Sequence, residues 1–358
     1  MKQIKRNLSI CIVIAMSFPF LAFAGNEQRV GQAGAGELLV NPWPRSAGWG
    51  GANTACVRGL ESMRMNIAGL AFTRKTEMMF ARTIWLAGAD ININAFGFAQ
   101  KVGEFGALGV SVMTVDFGKI EKTTVFNPEG GLGEFHPTYT NVGVSYARAF
   151  SNSIYGGAVI RVIDERITNL GAAGVSLDAG IQYITGKMDQ IKFGMSMKNV
   201  GPPMKFSGDG VSFRGETETE VSMTVEQRSA DFELPSLITI GGSYDFFLVS
   251  RSDSAGEDTQ GDKITLAANF TSNSFTKDQY HIGLEYNYRN ILMLRGGYVF
   301  EEGLTSEEER STAYSGPCGG ASVQLPISKT GSVVSFEYAY RLNYSFTGTH
   351  TLGLRISL

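Results

Sequence analysis

The last ten residues of the chain, 349–358, alternate between apolar and polar or small side chains. The apolar positions are Leu352, Leu354, Ile356 and Leu358, with Gly353, Arg355 and Ser357 between them. Because side chains point alternately to the two faces of a β-strand, this segment has one apolar and one polar face. The pattern recurs along most of the chain. Such repeated alternation is typical of strands that cross a membrane as part of a closed barrel.

The N-terminus has the organisation of an export signal. Basic residues, the last of them Arg6, precede an apolar stretch over residues 8–20, and an A-x-A cleavage site occupies residues 22–24. We therefore predict that residues 1–24 are a signal peptide, which is removed from the mature protein. The alternative is a first transmembrane helix, for which the apolar stretch is short.

The chain after this leader has no apolar run long enough to cross a bilayer as a helix. A closed barrel is the other structure that satisfies every backbone group in lipid. The predicted strands are residues 75–86, 91–102, 106–117, 137–150, 153–167, 171–185, 190–199, 234–247, 262–272, 279–288, 291–300, 317–325, 332–341 and 349–358. They number about fourteen, and single-chain bacterial barrels have an even number. We predict an all-β, transmembrane antiparallel β-barrel over residues 73–358.

The connections between the predicted strands differ in length. Tight turns at 151–152, 187–189 and 289–290 are predicted to be periplasmic. Long polar segments at 119–136, 200–233, 251–261 and 301–316 are predicted to be extracellular loops.

The N-terminal residues of the mature chain, 25–72, lack this alternation and are rich in Gly, Ala and Asn. They include Trp43, Trp49 and Met63, which would be costly to leave exposed to water. We therefore predict a plug segment that folds inside or across the barrel mouth. The alternative is a disordered leader.

Charged residues of both signs occupy positions that the alternation predicts to face inward. They are Asp178, Glu285, Arg295, Glu337, Arg341 and Arg355. Because the inner faces of barrels are usually polar, we predict a salt-bridge network that fills and stiffens the lumen. The alternative is a path for a substrate.

Motifs for catalysis or metal binding are missing from the sequence. His136, His281 and His350 lie in separate elements without cysteine or carboxylate at ligand spacing. Phosphate-binding loops and nucleophile elbows are also missing. A net charge of −3 argues against a nucleic-acid partner. We predict a protein that is not an enzyme and has no cofactor. Cys56 and Cys318 either form a disulfide or remain separate thiols.

Several short motifs occur in a fixed order along the mature chain. They are residues 44–55 (PRSAGWGGANTA), 66–70 (NIAGL), 85–86 (WL), 198–202 (KNVGP), 283–286 (GLEY), 294–298 (LRGGY) and 336–340 (FEYAY). Together they resemble the PorV/PorQ family, which belongs to the wider group of FadL-like barrels. Two positions depart from the family pattern: Ile67 replaces a proline, and Leu358 replaces a terminal aromatic residue.

This resemblance implies a fourteen-stranded barrel with an N-terminal plug. The plug would include Arg45, Gly48, Trp49, Gly50 and Asn66. It also implies a role in the type IX secretion system, in the cell outer membrane of a Bacteroidota-like bacterium. In that family, PorV-like proteins bind the C-terminal signal domain of secreted cargo and pass it from the translocon to the cell-surface attachment complex. PorQ-like proteins belong to the attachment machinery.

Apolar residues within the predicted extracellular loops are the candidate contacts for a partner. They are Phe126, Phe135, Met204, Phe206 and Phe213. Apolar anchors among polar residues are typical of a binding rim, although they also pack loops against one another. We therefore expect a non-enzymatic secretion-system component that binds cargo signal domains. The alternative is a FadL-like channel for long-chain fatty acids or other hydrophobic molecules, since one fold supports several functions.

Overall fold

Most of the described residues form strands. The computed structural model describes residues 27–216, 221–248, 250–252, 258–260, 262–304, 306, 309–310, 312, 315–327, 331–344 and 346–358. The predicted signal peptide, residues 1–24, lies outside the described residues. In chain order the strands are β1 Thr76–Trp85, β2 Ile91–Val102, β3 Gly106–Asp116, β4 Ile120–Glu121, β5 Glu134–Phe135, β6 Thr138–Ala149, β7 Ile154–Ile167, β8 Leu170–Thr185, β9 Ile191–Val200, β10 Ser212–Glu216, β11 Ser222–Glu226, β12 Leu237–Phe247, β13 Ser250–Ser252, β14 Asp258–Gln260, β15 Lys263–Asn273, β16 Gln279–Tyr288, β17 Leu292–Glu301, β18 Gly316–Pro326, β19 Val333–Arg341 and β20 Thr349–Ser357.

Fourteen of these described strands close into one antiparallel barrel. Their order is β1-β2-β3-β6-β7-β8-β9-β12-β15-β16-β17-β18-β19-β20. The first and last strands complete the circle, with Phe80 opposite Leu354 and Met78 opposite Ile356. The remaining strands form three hairpins outside the barrel: β4–β5, β10–β11 and β13–β14. The closed circle confirms the predicted antiparallel β-barrel and its strand number.

Alternation along each strand separates an outer from an inner face, as predicted. On β20, Leu352 and Leu354 are exposed on the outside, whereas Arg355 is buried inside. On β8, Ile181 is exposed and Gln182 is buried. The outer face is therefore apolar enough to contact lipid, and polar side chains are enclosed in the lumen.

The two ends of the barrel carry different connections. One end, which we call the turn end, holds residues 103–105, 150–153, 186–190, 289–291 and the last residue of the chain. The opposite end, which we call the loop end, holds residues 117–137, 201–236 and 302–315. The predicted turns at 151–152, 187–189 and 289–290 all lie at the turn end.

The predicted extracellular position of residues 251–261 is wrong for the part that the structure describes, residues 251–252 and 258–260. Strand β12 begins at the loop end, after residue 236, and so it finishes at the turn end. The connection from Phe247 to Lys263 must therefore lie with the tight turns. Its length suggested an extracellular loop, but the side of a connection depends on the number of strands that precede it.

The helical elements are short. They are the 3-10 turns Glu27–Arg29, Gly36–Leu39, Gly59–Arg64, Ile67–Phe72 and Asp209–Val211, and the α-helix Pro44–Gly48. Among the described residues, no helix is both long enough and apolar enough to span a membrane.

Residues 35–72, which we call the lumenal segment, lie inside the barrel. Their helix Pro44–Gly48 packs against β17, β18, β19 and β20, and the turn Ile67–Phe72 packs against β3, β6, β7 and β8. Trp43, Leu60 and Met63 are almost completely buried. The segment therefore contacts opposite walls of the lumen. Whether it closes the passage, as the predicted plug would, remains a prediction.

Inward-facing glycines make room for this segment. A Cβ atom on Gly297 would overlap the Trp49 carbonyl, and one on Gly353 would lie 2.6 Å from Pro44 Cγ. By contrast, a Cβ atom on the adjacent, outward-facing Gly296 meets no atom within 4 Å. The missing side chains at these glycines let the lumenal segment approach the strand backbone closely.

We expect Gly297→Val to displace the lumenal segment, because overpacking of a tight contact costs about 1–3 kcal/mol. Limited proteolysis of the vesicle-embedded protein should then cleave within residues 35–72 faster than in the parent protein. The control is Gly296→Val, which adds the same side chain on the outer face. Equal protection of both variants would contradict the observed packing.

Candidate functional site

A cavity of about 370 Å³ lies between the lumenal segment and the loop end of the barrel. Its wall includes strand residues near that end, such as Trp85 at the end of β1 and Leu237 at the start of β12. The lumenal segment contributes residues 46–47 and 50–51. The volume lies within the range of pockets that bind small molecules, about 300–1,000 Å³.

The cavity has a largely apolar wall. The apolar side chains are Leu38, Leu39, Val40, Met65, Trp85, Leu237, Val299, Pro317 and Leu342. They come from the lumenal segment and from several strands, and polar side chains such as Thr239, Thr271 and Gln279 lie between them. An apolar body would gain stability by leaving water for this surface, at roughly 25 cal/mol per Å² of area buried.

Three cations also line the cavity: Arg64, Lys198 and Arg341. Among the described residues of its lining, none is a carboxylate. The Arg64 side chain is buried, its Nη1 has no hydrogen-bond partner, and its Nη2 donates to Met113 Sδ at 3.2 Å. Lys198 Nζ donates to the Arg64 carbonyl oxygen at 3.3 Å. The lining of the cavity therefore includes a buried, incompletely paired arginine whose carbonyl oxygen is contacted by a lysine.

Acidic groups near Arg64 do not balance this positive charge. Arg161 Nη2 forms a buried ion pair with Asp178 Oδ2 at 2.6 Å, and Asp178 also accepts the Asn199 backbone N–H. Burial raises the pKa of Glu37, while the charge of Arg64 acts to lower it. Burial, followed by repulsion from Arg161, lowers the pKa of Arg64 well below its ordinary value. An anion in the cavity would relieve this imbalance.

Other buried polar atoms of the cavity lining lack hydrogen-bond partners. They are Asn41 Nδ2, His281 Nε2 and Ser315 Oγ. The second ring nitrogen of His281, Nδ1, is 2.7 Å from the Gly50 carbonyl oxygen, which fixes the orientation of the ring. These enclosed polar atoms are costly to leave unpaired, so a shift of the surrounding side chains that brought them into contact with a ligand or water would be stabilising.

The charged residues predicted to form a lumenal network occupy separate places. Arg295 Nε pairs with Glu285 Oε2 at 2.5 Å, and Arg355 Nη2 pairs with Glu337 Oε1 at 3.0 Å. Asp178 pairs with Arg161, which the sequence analysis did not single out. Arg341 Nη2 donates to the Asn41 carbonyl oxygen at 3.4 Å. The six residues are thus inward-facing but form several clusters, because the lumenal segment lies between them.

Arg45 of the lumenal segment joins two of these clusters. Burial acts to lower the pKa of Arg45, but the carboxylates of Glu337, Glu61, Glu285 and Glu77 raise it above its ordinary value. The buried guanidinium is thus stabilised in its charged form by acidic groups of three strands and of its own segment.

The Glu61 carboxylate has local partners in the same segment. It accepts hydrogen bonds from the Ser46 hydroxyl at 2.7 Å, from the Ser46 backbone N–H at 2.9 Å and from the Arg45 backbone N–H at 3.1 Å. Burial, and then the nearby Glu337, raise the pKa of Glu61 to about 7. These hydrogen bonds fix the helix Pro44–Gly48 to the turn Gly59–Arg64.

The other residues of the predicted plug also contact the barrel wall. Trp49 is buried and packs on Gly283, and Gly48 lies against Gly320. Asn66 Nδ2 donates to the Ile181 carbonyl oxygen of β8 at 2.9 Å. Gly50 has φ +62°, a left-handed conformation that suits glycine, and its carbonyl faces His281.

The predicted loop anchors divide into exposed and buried residues. Phe126 is 95% exposed and Phe213 is 53% exposed, whereas Phe135 is half-buried in β5. Met204 is buried and Phe206 packs beside it, in a cluster with Leu38 of the lumenal segment. The prediction that Met204 and Phe206 are exposed anchors is therefore wrong, because they pack with Phe232 and Leu234 against Leu38 of the lumenal segment.

Sequence reasoning missed the cation cluster at Arg64, Arg161 and Lys198. Arg161 and Lys198 occupy inward positions of β7 and β9. A count of all charged residues at inward positions would have included both. Their proximity to Arg64 depends on how the lumenal segment crosses the barrel, which no local pattern predicts.

Both cysteines of the described chain are free. Cys318 Sγ lies 3.6 Å from the Gly48 carbonyl oxygen, and Cys56 belongs to a different part of the lumen. Of the alternatives that the sequence left open, the structure has two separate thiols.

Known structures of outer-membrane channels share this fold. The CymD monoaromatic hydrocarbon channel matches with 14% identity and a TM-score of 0.54, over 89% of this chain and 97% of that chain. The Pseudomonas putida toluene transporter TodX matches with 10% identity and a TM-score of 0.53, over 88% of this chain and 97% of that chain. At these identities the likeness concerns the fold alone. It is consistent with the predicted outer-membrane location.

Comparisons of the amino-acid sequence do not identify a family for this chain. No family model matches the chain, and no curated protein matches it. The specific PorV/PorQ assignment and the Bacteroidota origin therefore remain predictions.

Proposed function

We propose that the protein is an outer-membrane channel for small hydrophobic molecules, and that it favours those with a carboxylate group. The observation that carries this proposal is the loop-end cavity, whose lining combines apolar side chains with three cations, among them Arg64, and lacks a carboxylate among its described residues. The channels with the same fold are named for monoaromatic hydrocarbons and toluene, which supports passage of hydrophobic molecules. Among the alternatives raised by the sequence, the cavity favours the channel over secretion.

Binding would depend on desolvation and charge. An apolar body would displace water from the wall, while the carboxylate would pair with Arg64 and Lys198 at the base. Arginine binds carboxylates with two parallel hydrogen bonds, which fixes the orientation of the ligand. The cavity has the volume of about twelve water molecules, so a compact acid such as octanoate fits it.

Passage beyond the cavity would require the lumenal segment to move. Residues 46–47 and 50–51 form part of the cavity lining, and packing of the helix Pro44–Gly48 against β17–β20 holds this part of the segment in place. In this proposal the segment is a gate that shifts when a ligand neutralises the cations above it. A shift of this kind needs a difference in ligand affinity between the two positions of the segment.

Uptake of octanoate into proteoliposomes tests the proposal, with toluene as the neutral comparison. We expect Arg64→Met to reduce octanoate uptake by about tenfold or more, since hydrogen bonds to charged groups contribute about 1.5–3 kcal/mol. Toluene uptake should change little. The control is Arg58→Gln, because Arg58 belongs to the same segment but stacks on Phe72 outside the cavity.

Two results would contradict this function. One is octanoate uptake by Arg64→Met at the parent level. The other is an equal loss of octanoate and toluene uptake, which would indicate a general defect of the pore. Because Arg64 lacks a compensating charge, we expect its replacement to leave the thermal unfolding temperature unchanged or higher. This measurement separates lost selectivity from lost folding.

We propose binding of a cargo signal domain at the loop end as a second candidate, supported by exposed apolar residues there. Val125 and Phe126, at the tip of residues 117–137, are 94% and 95% exposed. Phe213 and Val225 are paired neighbours on one face of the β10–β11 hairpin, and both are exposed. Exposed apolar anchors of this kind suit a protein partner. The resemblance to the PorV/PorQ family suggests a C-terminal signal domain.

A binding assay separates the two candidates. Under the secretion hypothesis, Phe126→Ser combined with Phe213→Ser should weaken capture of an isolated cargo signal domain by at least tenfold. Octanoate uptake should remain unchanged. Parent-level capture by this variant would remove the support for the second candidate.

A further inference from the structure

The outer wall of the barrel has an apolar groove where its first and last strands meet. The groove has a volume of about 490 Å³. Its apolar lining residues are Phe80 of β1, Ala321 and Val323 of β18, Phe336 and Tyr338 of β19, and Leu352 and Leu354 of β20. Ala321 is small and lies opposite Tyr338 in the sheet, so it leaves space between larger neighbours. Because these residues are on the outer face, the groove faces lipid rather than the lumen.

Two charged residues, Arg82 and Glu337, also line this groove, but the Glu337 side chain is buried and pairs with Arg355 in the lumen. The exposed charge is that of Arg82. This residue lies between Phe80 and Ile84 on the outer face of β1, opposite Leu352 of β20, and it is exposed. Its Nη2 is 3.4 Å from Asn92 Oδ1 of β2. A charge on the lipid face of a barrel costs about 2–4 kcal/mol at the bilayer midplane and about 0–1 near the interface. At the interface this cost is small, and the exposed guanidinium is available to an anionic head group.

The position of Arg82 along its strand indicates which leaflet it meets. It is close to Trp85, the last residue of β1, and so lies toward the loop end. The neighbouring outer face carries a hydrogen-bonded pair, Tyr338 Oη and His350 Nδ1, at 2.9 Å. Aromatic and polar side chains of this kind occur where a barrel meets the head-group region. Arg82 thus lies near the head groups of the leaflet at the loop end.

We propose that this groove binds one molecule of lipid A, the phosphorylated lipid of the outer leaflet, with its phosphate on Arg82 and an acyl chain along the apolar wall. Arginine binds phosphate through two parallel hydrogen bonds and loses its hydration more readily than lysine does. Asn92 would hold the guanidinium in place. The loop end faces the outer leaflet, which favours lipid A over a glycerophospholipid of the inner leaflet.

Selectivity would come from the phosphate contact and the shape of the groove. The acyl chain is as well solvated by other lipids as by the protein, so its burial alone contributes little. Loss of the guanidinium should therefore release the lipid. Filling the space above Ala321 should release it too, without a change of charge.

Lipid retention during purification tests this proposal. Protein extracted from outer membranes in mild detergent would be analysed by native mass spectrometry for bound lipid. We expect Arg82→Gln and Ala321→Leu each to reduce the fraction with bound lipid A by about tenfold. The control is Arg148→Gln, since Arg148 is also exposed on its strand but lies at the turn end.

Parent-level lipid A on both variants would overturn the proposal. Retention of a glycerophospholipid instead, lost from both variants, would overturn the choice of lipid. Octanoate uptake should be unaffected by both substitutions. The test of the lipid site is therefore independent of the proposed channel function.

Discussion

Replacing Glu285 with glutamine is expected to reduce the free energy of unfolding by about 3–5 kcal/mol, because it leaves the charge of Arg295 buried and unpaired. The Arg295 side chain is fully buried, and its Nε pairs with Glu285 at 2.5 Å. The remaining partner of Arg295 in this cluster is the Ser322 hydroxyl, which accepts from Nη1 at 2.6 Å. A hydroxyl cannot replace the carboxylate charge.

Guanidinium unfolding of the vesicle-embedded protein would measure this loss. The control is Glu134→Gln, which breaks the pair between Lys119 and Glu134. These two side chains are 66% and 52% exposed, so the expected change is about 0–1 kcal/mol. A Glu285→Gln variant as stable as the control would mean that water reaches the lumen and solvates Arg295.

A second large effect is expected on the outer face. Leu354→Arg places a charge among apolar side chains, since Leu354 lies between Phe80 and Phe336 in the sheet. The expected loss is about 2–4 kcal/mol if the position is near the bilayer midplane.

The matched control for this change is Ser357→Arg, on the inner face of the same strand. Ser357 lies opposite Glu77, which would pair with the new charge. We therefore expect the control to refold into vesicles with nearly the stability of the parent protein. Equal losses at the two positions would contradict the assignment of faces.

The sequence was sufficient to predict the barrel because alternation is a local property. The inner and outer faces of β20 follow directly from residues 349–358, and similar segments predict the other barrel strands. The side on which residues 251–261 emerge was mispredicted because it depends on strand count rather than on loop composition. The burial of Met204 and Phe206 depends on a long-range contact with Leu38 of the lumenal segment.

Less of the candidate site than of the fold could be predicted from the sequence. Inward positions of Glu285 and Glu337 followed from alternation, but their ion-pair partners depend on how neighbouring strands are aligned. The cavity itself has no sequence signature, because residues far apart in the chain form its wall. Arg64 becomes a candidate binding residue only when its missing hydrogen-bond partner is seen in three dimensions.

A reversible crosslink between the lumenal segment and the wall tests the gating mechanism. A Cβ atom on Gly50 would lie 2.8 Å from Cys318 Sγ, close enough for a disulfide after a small adjustment. The variant is Gly50→Cys in a Cys56→Ser background, which removes the other free thiol. Gly50 has φ +62°, so the new side chain costs roughly 1–2 kcal/mol, which the disulfide offsets.

Octanoate uptake by this variant, before and after reduction, is the most direct measurement. The control is Cys56→Ser alone, whose uptake should not respond to reductant. If the lumenal segment must move for passage, uptake is blocked while the disulfide is intact and returns when it is reduced. Uptake at the parent rate with the disulfide intact would contradict the gated channel.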